Sequence, residues 1–397
     1  MSEWKTKELG SILKDKGYIR GPFGSSLRRP EMVSEGIPVY EQKNAIYNER
    51  DFRFFITESK FNELKRFQVQ TNDLIVSCSG TVGRISIIKE EDPKGIISQA
   101  LLILRPDTNK VHLSFLYYFL SSKQGYELIT QVSHGSVQIN IAARKVVETI
   151  PIPIPPLPEQ TAIASVLSSL DDKIDLLHRQ NETLEKMAET LFRQWFIEEA
   201  EEEWEEGVIE ELCTRINSGG TPSTKKEEYY NGDINWYSTR ELNDNFLFES
   251  NSKITEEGLN NSSAKLFPKG TVLIAIYAAP TVGRLGILGN EASFNQAACG
   301  LIANDEICCK EFIYLYLKSE RDELNALASG SAQQNLNVGK IKSYPAVIPD
   351  KITMNRFKQS VIPLFNKIEK NTIQIRTLTQ LRDTLLPKLM NGDVRVV

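Results

Sequence analysis

The sequence predicts an α+β protein made twice over: two similar globular mixed α/β domains separated by two long helices that form an antiparallel coiled coil, a pseudo-two-fold internal duplication. Three observations carry this expectation. Short words recur in the same order at a nearly constant offset. "GIPVY" (36–40) answers "DINWY" (233–237) at 197, "TVGR" (81–84) recurs at 200, "SQA" (98–100) answers "NQA" (295–297) at 197, and "GSVQIN" (135–140) answers "GSAQQN" (330–335) at 195. Each copy also opens with short β-branched and aromatic runs punctuated by Gly, Pro, Asn and Ser, then turns helical. Finally, each copy closes on a long stretch with apolar residues at alternating spacings of four and three. Collinear matches with a slowly drifting offset are what two diverged copies of one module leave. A repeat of nearly 200 residues is large enough to bury its own core.

Taken in order, residues 1–153 form the first globule. Strands are expected at "DLIVSC" (73–78), "RISII" (84–88) and "ALLILR" (100–105), and a helix at "LSFLYYFLSSKQGYELIT" (113–130). The proline segment "IPIPIPPLPEQ" (150–160) reads as an extended strap leading into a helix, with Pro158 and Glu159 suited to its first turn. Residues 154–199 are the central helical spacer. Its seam runs Ile163, Leu167, Leu170, Ile174, Leu177, Asn181, Leu184, Ala188, Leu191 and Trp195, more than four heptads. The second globule spans 200–349, with strands at "TVLIAIY" (271–277), "RLGILG" (284–289) and "CGLIAN" (299–304) and a helix at "KEFIYLYLKSERDELNAL" (310–327). Residues 350–397 are the closing spacer. Its seam, 194 residues on, is Phe357, Val361, Leu364, Ile368, Asn371, Ile375, Leu378, Arg382, Leu385 and Leu389. Pro363 inside that pattern is expected to kink or break the helix near its start.

The two seam asparagines specify a register. Asn181 occupies an a-type position and Asn371 a d-type position, and in an antiparallel pair a layers meet d layers. Setting Asn181 opposite Asn371 places Leu177 opposite Ile375 and Leu184 opposite Ile368, so every partner remains a seam residue. The seams are open to pairing within one chain or between two. A seam of 32 residues is roughly 48 Å long at about 1.5 Å per residue. Two similar modules at the ends of such a spacer have the geometry of a ruler.

Composition excludes several classes. The chain has 397 residues, of which 41% are hydrophobic and 25% charged, and no apolar run approaches a membrane span. The N-terminus carries charge rather than an apolar signal core, and five cysteines (78, 213, 299, 308, 309) form no C-x-x-C pair, so a reducing cytoplasmic location is expected. Cys308 and Cys309 read as two small apolar residues beside a strand. The net charge of −5 is concentrated at a junction. "EEAEEEWEEGVIEE" (198–211) holds nine glutamates, and without them the rest of the chain stands at +4. That run reads as a solvated helix end, and residues 1–150 are mildly basic at +4. There is no G-x-x-x-x-G-K-[ST] phosphate loop, no G-x-G-x-x-G and no Asn/Asp-Pro-Pro-aromatic tetrapeptide. "RPDTNK" (105–110) has a nuclease's Pro-Asp without an acidic-x-Lys strand to follow. His112, His134 and His178 are far apart, with His178 outside the seam and solvent-facing and His134 suited to a loop hydrogen bond. No catalytic residue and no metal site are expected.

Several segments together resemble the DNA-specificity subunit of type I restriction–modification systems. They are "WEEGVIEELCTRINSGGTPST" (204–224), "GDINWYSTREL" (232–242), "NQAACGLI" (295–302), "GSAQQNLNVGKIKSYPAVIP" (330–349), "PIPPLPEQTAIASVLSSLDDKID" (153–175) and "LPKLMNGDVRV" (386–396). The resemblance covers essentially the whole chain in the family's order of recognition domain, helix, recognition domain, helix. It implies a subunit without catalytic activity that reads two short DNA half-sites flanking an unspecified spacer. Methyltransferase subunits would dock on its helices, and a motor–nuclease subunit would join for cleavage. S-adenosylmethionine, ATP and magnesium would belong to those partners, with no cofactor in this chain. A scaffold of two protein-interaction domains explains the duplication and heptads equally well, but not the family segments or the +4 balance of residues 1–150.

Three loop classes recur in both copies with chemistry suited to DNA. The first is "RGPFGSSLRR" (20–29) and "SGGTPSTKK" (218–226). Arg20, Ser25, Arg28 and Arg29, and Thr221, Ser223, Lys225 and Lys226, offer hydroxyls and cations to phosphates. The second is "YEQKN" (40–44) and "YSTRE" (237–241), where Gln42, Lys43, Asn44, Thr239 and Arg240 are candidates for base edges. The third is "HGSVQIN" (134–140) and "SGSAQQN" (329–335), with Ser136, Gln138, Ser331, Gln333 and Gln334, followed by Lys145 and Lys340. "TVGR" reads as a strand-to-strand turn in which Gly83 and Gly283 permit tight backbone geometry, leaving Arg84 and Arg284 for phosphate contact or a structural ion pair.

Overall fold

The computed structural model describes residues 4–23, 26–131, 141, 144–200, 204–277, 280–329 and 336–396. Contacts divide the chain into two compact units, Met1–Lys173 with Leu378–Val397, and Ile174–Thr377. These boundaries fall inside the two long helices, so each unit contains one globule and a stretch of both spacers.

The first unit holds β1 (Lys5–Glu8), β2 (Leu13–Arg20), β3 (Ile37–Tyr40), α1 (Gln42–Ile46), β4 (Phe55–Ile56), α2 (Glu58–Glu63), β5 (Leu74–Ser77), β6 (Ile85–Ile87), β7 (Ile96–Ile97) and β8 (Leu101–Pro106). After these come α3 (Leu113–Ser121), α4 (Lys123–Gln131), α5 (Arg144–Glu148), β9 (Pro151–Ile154) and the start of α6 (Leu157–Arg193). A four-stranded sheet runs β2-β8-β5-β6, beside a three-stranded sheet β4-β3-β7 and a ladder β1-β9. The unbroken apolar runs of β5 and β8 have a simple cause: both faces of the larger sheet are covered. Leu74, Val76, Leu102 and Leu104 pack with Phe115, Leu116 and Phe119. The alternating residues Ile75, Leu101 and Ile103 pack with Val39, Tyr40, Phe61 and Phe67.

The second unit repeats this plan. It contains β10 (Glu205–Val208), β11 (Cys213–Ser218), β12 (Tyr230–Tyr237), β13 (Asn245–Leu247), β14 (Ser252–Ile254), α7 (Glu256–Asn260), β15 (Val272–Ala275), β16 (Leu285–Leu288), β17 (Ser293–Phe294) and β18 (Ala298–Ala303). α8 (Lys310–Ser319), α9 (Arg321–Ser329), α10 (Val338–Lys342), β19 (Pro345–Ile348) and most of α11 (Lys351–Met390) follow. Its sheets are β11-β18-β15-β16-β13, β14-β12-β17 and β10-β19. Strand for strand this is the first unit's pairing, with β13 added beside β16.

The proline strap is itself a strand. Thr6 pairs with Pro153 and Glu8 with Pro151 in an antiparallel ladder, and Glu206 pairs with Val347 in the second copy. Prolines at alternate positions leave the amides of Ile152 and Ile154 as the strand's only donors, which suits a two-stranded edge. The expected single helices at 113–130 and 310–327 are each two. Ser122 is extended (φ −65°, ψ 161°), and its hydroxyl donates to the Phe119 carbonyl at 2.6 Å and accepts the Gly125 amide at 3.2 Å, which stops α3 and starts α4. Pro363, in contrast, does not break α11, which runs unbroken from Lys351 to Met390. Pro363 and Gln359, whose carbonyl loses its intrahelical partner, both lie on the exposed side, where water can serve that carbonyl. Val361 and Phe365 are anchored in the core to either side.

The seam pairs within this chain, antiparallel and in the expected register. In the second unit the Asn371 side-chain amide donates to Asn181 Oδ1 at 2.9 Å, while further along Phe192 and Trp195 meet the Phe357 ring at centroid distances of 6.2 and 5.9 Å. In the first unit Arg382, the one charged seam residue, donates to Asp171 at 2.9 Å, and Asp171 also accepts the Tyr118 hydroxyl at 2.7 Å. Asn371 is 1% exposed, so its amide depends on Asn181. In a double-mutant cycle by chemical unfolding, Asn181→Ala and Asn371→Ala should show a coupling of about 0.5–3 kcal/mol. A coupling near zero would argue against the pairing.

Candidate nucleic-acid interface

The bases of the first and second recurrent loops and the "TVGR" turn lie at one end of the sheets. β2, β3, β5 and β7 end there, and β6 and β8 begin there; in the second unit the same is true of β11, β12, β15 and β17, and of β16 and β18. Four backbone hydrogen bonds tie these loops together, and each has its counterpart. Ser98 N–H donates to Tyr40 O at 2.8 Å, as Asn295 does to Tyr237 at 2.9 Å. Gly21 donates to Leu101 O at 3.0 Å, as Gly219 does to Ala298 at 3.2 Å. Cys78 donates to Ala100 O at 2.9 Å, as Ile276 does to Ala297 at 2.8 Å. Gly83 donates to Ser77 O at 2.8 Å, as Gly283 does to Ala275 at 2.9 Å.

Glycine is required at two of these points in each copy. Gly83 and Gly283 take φ +79° and +81° in the turns joining β5 to β6 and β15 to β16, a region side chains disfavour. "TVGR" is thus the strand-to-strand turn expected. Gly21 and Gly219 are required by closeness instead: a Cβ on Gly21 would sit 1.9 Å from Ser98 O, and one on Gly219 2.0 Å from Phe294 O. The first loop therefore lies directly on the link that carries "SQA" or "NQA".

On this frame the candidate side chains divide. Arg28, Arg29, Ser223, Lys225 and Arg240 are exposed. Arg84 is exposed with its guanidinium 5.7 Å from the Tyr126 ring centroid, and Arg284 donates to Asn243 at 3.2 Å, so neither makes an ion pair among the described residues. Arg20 is half-buried near Phe23. Lys43 pairs with Asp51 at 2.8 Å, and Lys226 donates to the Tyr229 hydroxyl at 2.7 Å, a bond that holds its ammonium charged to higher pH. Gln42 is turned inward, its amide donating to Ser79 O at 2.6 Å and tying the second loop to the "TVGR" turn. Lys145 is exposed on α5, and Lys340 on α10 donates to the Leu327 carbonyl at 3.1 Å.

Two candidates are corrected. Asn44 is 0% exposed: its Oδ1 accepts the Glu41 amide at 2.7 Å and its Nδ2 donates to Glu49 O and Asp51 O at 3.0 and 3.2 Å. It builds the loop rather than reaching out from it. Thr239 is 4% exposed and accepts a hydrogen bond from Thr281 at 3.1 Å, so it too is spent internally. Ser25, His134, Ser136, Gln138, Ser331, Gln333 and Gln334 lie outside the described residues.

Residue-type reasoning missed Gln99 and Gln296. Both are exposed, at equivalent positions in the link before β8 and β18, and Gln296 Oε1 accepts the Thr221 hydroxyl. The signal was present in the recurrence of "SQA" and "NQA".

The remaining chemistry is quiet. All five cysteines are free, and burial pushes the thiols of Cys78, Cys213, Cys299 and Cys308 up to about 12. Burial also lowers the pKa of His112, while His178 is exposed. Among the described residues no group of three or more His, Cys, Asp or Glu is placed to hold a metal ion, and no helix is long and apolar enough to cross a membrane.

A family model described as the type I restriction modification DNA specificity domain matches twice, over residues 1–186 and 201–384. The chain belongs to that family. The two matches fall on the two copies already recognised by repeat and by strand pairing. The chain is similar to the type I restriction enzyme MjaIX specificity subunit of Methanocaldococcus jannaschii, 28% identical over 433 residues that span 100% of this chain and 97% of the relative. It is also similar to the HindI specificity subunit of Haemophilus influenzae, 26% identical over 392 residues covering 79% of this chain and 84% of the relative. The crystal structure of a type I restriction–modification S subunit from M. genitalium shares the fold, with a TM-score of 0.63 at 18% identity and coverage of 97% of this chain and 96% of that one.

The close approach at Gly21 and Gly219 makes a local prediction. Gly21→Ala should destabilise the first unit, and Gly219→Ala the second, by about 1–3 kcal/mol each. Hydrogen exchange should report faster opening around Ser98–Leu101 in the first variant and around Asn295–Ala298 in the second. Unchanged exchange at both links would show that the loop frame does not depend on the glycines.

Proposed function

We propose that this chain is the DNA-specificity subunit of a type I restriction–modification complex, reading a target split into two half-sites with one recognition unit for each. The observation that carries this reading is the pair of equivalent loop clusters, built on the same backbone hydrogen bonds but presenting different side chains. Duplicated frames with divergent surfaces suit the reading of two different short sequences. Membership of the specificity-domain family and the +4 balance of residues 1–150 support it. The two long helices would set the unspecified spacer between half-sites and offer the surface on which methyltransferase subunits dock, with a motor–nuclease subunit added for cleavage. The chain itself would be non-catalytic. S-adenosylmethionine, ATP and magnesium would be bound by the partner subunits, and the complex would work in the cytoplasm.

Base-resolution methylation mapping of the source genome, with and without this gene, tests the reading directly. Loss of one split motif, methylated in both halves, is the expected result. If the full chain with its co-purifying methyltransferase binds no DNA sequence selectively, an interaction scaffold becomes the better account. Exposed cations in the loop clusters make a second prediction. Arg240→Ala or Lys225→Ala should weaken DNA binding and reduce the slope of log affinity against log salt by about 1 for each phosphate left without its cation. An unchanged slope would remove that cation from the DNA surface.

A further inference from the structure

Gln99 and Gln296 stand at the centre of the two loop clusters and are the same residue in both, whereas the neighbouring loop residues differ: Gln42, Lys43 and Asn44 in one copy correspond to Thr239, Arg240 and Glu241 in the other. Two readers of different half-sites need different side chains on base edges. A side chain kept identical in both is matched to what the half-sites share, and every half-site shares its sugar–phosphate backbone. We propose that Gln99 and Gln296 are paired positioning residues, each donating its side-chain amide to a DNA phosphate and so seating its unit on the duplex.

The hydrogen bond already made by Gln296 orients its amide. Reading adenine by a glutamine takes a donor and an acceptor together, Nε2–H to N7 and Oε1 to the N6 amine. Gln296 Oε1 accepts the Thr221 hydroxyl, which turns that oxygen toward the first loop, so a paired contact to adenine would have to share it, whereas Nε2 makes no hydrogen bond among the described residues. A phosphate oxygen only accepts, so the Nε2 hydrogens are the groups that can meet it. Neither glutamine is buried, so both amides are open to solvent.

The backbone beneath each glutamine is held rigidly enough for a positioning role. Gly21 presses on this link so closely that its Cβ would sit 3.1 Å from the Gln99 Cα, and Gly219 packs as tightly against the residues just before Gln296. The amide of the preceding residue is anchored in both copies, Ser98 to Tyr40 and Asn295 to Tyr237. Each link thus joins the smaller sheet to the larger at a fixed height, with its glutamine facing out.

This inference rests on the DNA-specificity reading, and a neutral phosphate contact has a signature that separates the two. The full chain with its co-purifying methyltransferase is titrated, at several salt concentrations, with a duplex carrying the mapped motif and with a scrambled duplex of equal length. Gln99→Ala and Gln296→Ala should each weaken binding to both duplexes about 3- to 30-fold, leave the methylated motif unchanged, and leave the salt slope unchanged because no cation is removed. Gln99→Lys and Gln296→Lys should restore affinity and steepen the slope by about 1, a rescue that a purely structural role would not permit. Relaxation of the motif at one base pair would overturn the proposal in favour of base reading. Alanine variants that bind like wild type, or lysine variants as weak as the alanine ones, would overturn it as well. If the wild-type complex itself ignores sequence, it is the specificity reading that fails.

Discussion

The structure depends on how the apolar stripes of two long helices are covered. Helices of 37 and 40 residues with a single apolar seam draw their stability from packing rather than propensity. Each unit supplies that packing by drawing on both helices. The core of the first takes Ile163, Ala164 and Leu167 from α6 and Leu389 and Met390 from α11. The core of the second takes Ala188 and Phe192 from α6 and Met354, Phe357, Val361 and Phe365 from α11. Neither helix belongs to one globule, which is why the boundaries between the units fall inside them rather than at their ends. Polar pairs at Asn181–Asn371 and Asp171–Arg382 hold the register where these cores give way to the seam itself.

Above that platform the two units separate architecture from surface chemistry. The frame is made of backbone: four hydrogen bonds in matching places, two glycines that no side chain can replace without a shift, and sheets covered on both faces. None of these contributions depends on the identity of the outward side chains. The outward position of the second loop can therefore carry Lys43 in one copy and Arg240 in the other without altering those backbone bonds. Within the loops a second division appears. Asn44 and Thr239 are consumed in building the turn, while Arg240 and Lys225 remain on the surface.

Periodic features were legible without coordinates because they follow from local geometry. The heptad spacing gave both helices and, through one polar residue in each seam, their register. The collinear words gave the duplication, and the apolar runs located β5, β8, β15 and β18. Features that turn on burial were not legible. Arg382 is the one charged member of the two seams, and the sequence does not say that Asp171 stands beside it. Pro363 looked like a helix breaker, because the sequence does not say that it faces outward between anchored core residues. Asn44 was chosen for an amide that suits adenine, yet the same donors and acceptor suit the carbonyls and amide of its own loop.

By itself, then, the sequence determined that the protein is a tandem duplication with two seamed helices in a defined register, since period and spacing are properties of the chain alone. Only the tertiary structure decided which polar side chains remain available. It brought the "SQA" and "NQA" links under the glycine loops and turned Gln99 and Gln296 outward. It also folded Gln42, Asn44 and Thr239 inward. The physical reason is that a hydrogen-bonding group is the same in a sequence whether it serves a ligand or its own backbone. What distinguishes the two is which atoms the fold sets within about 3 Å of it.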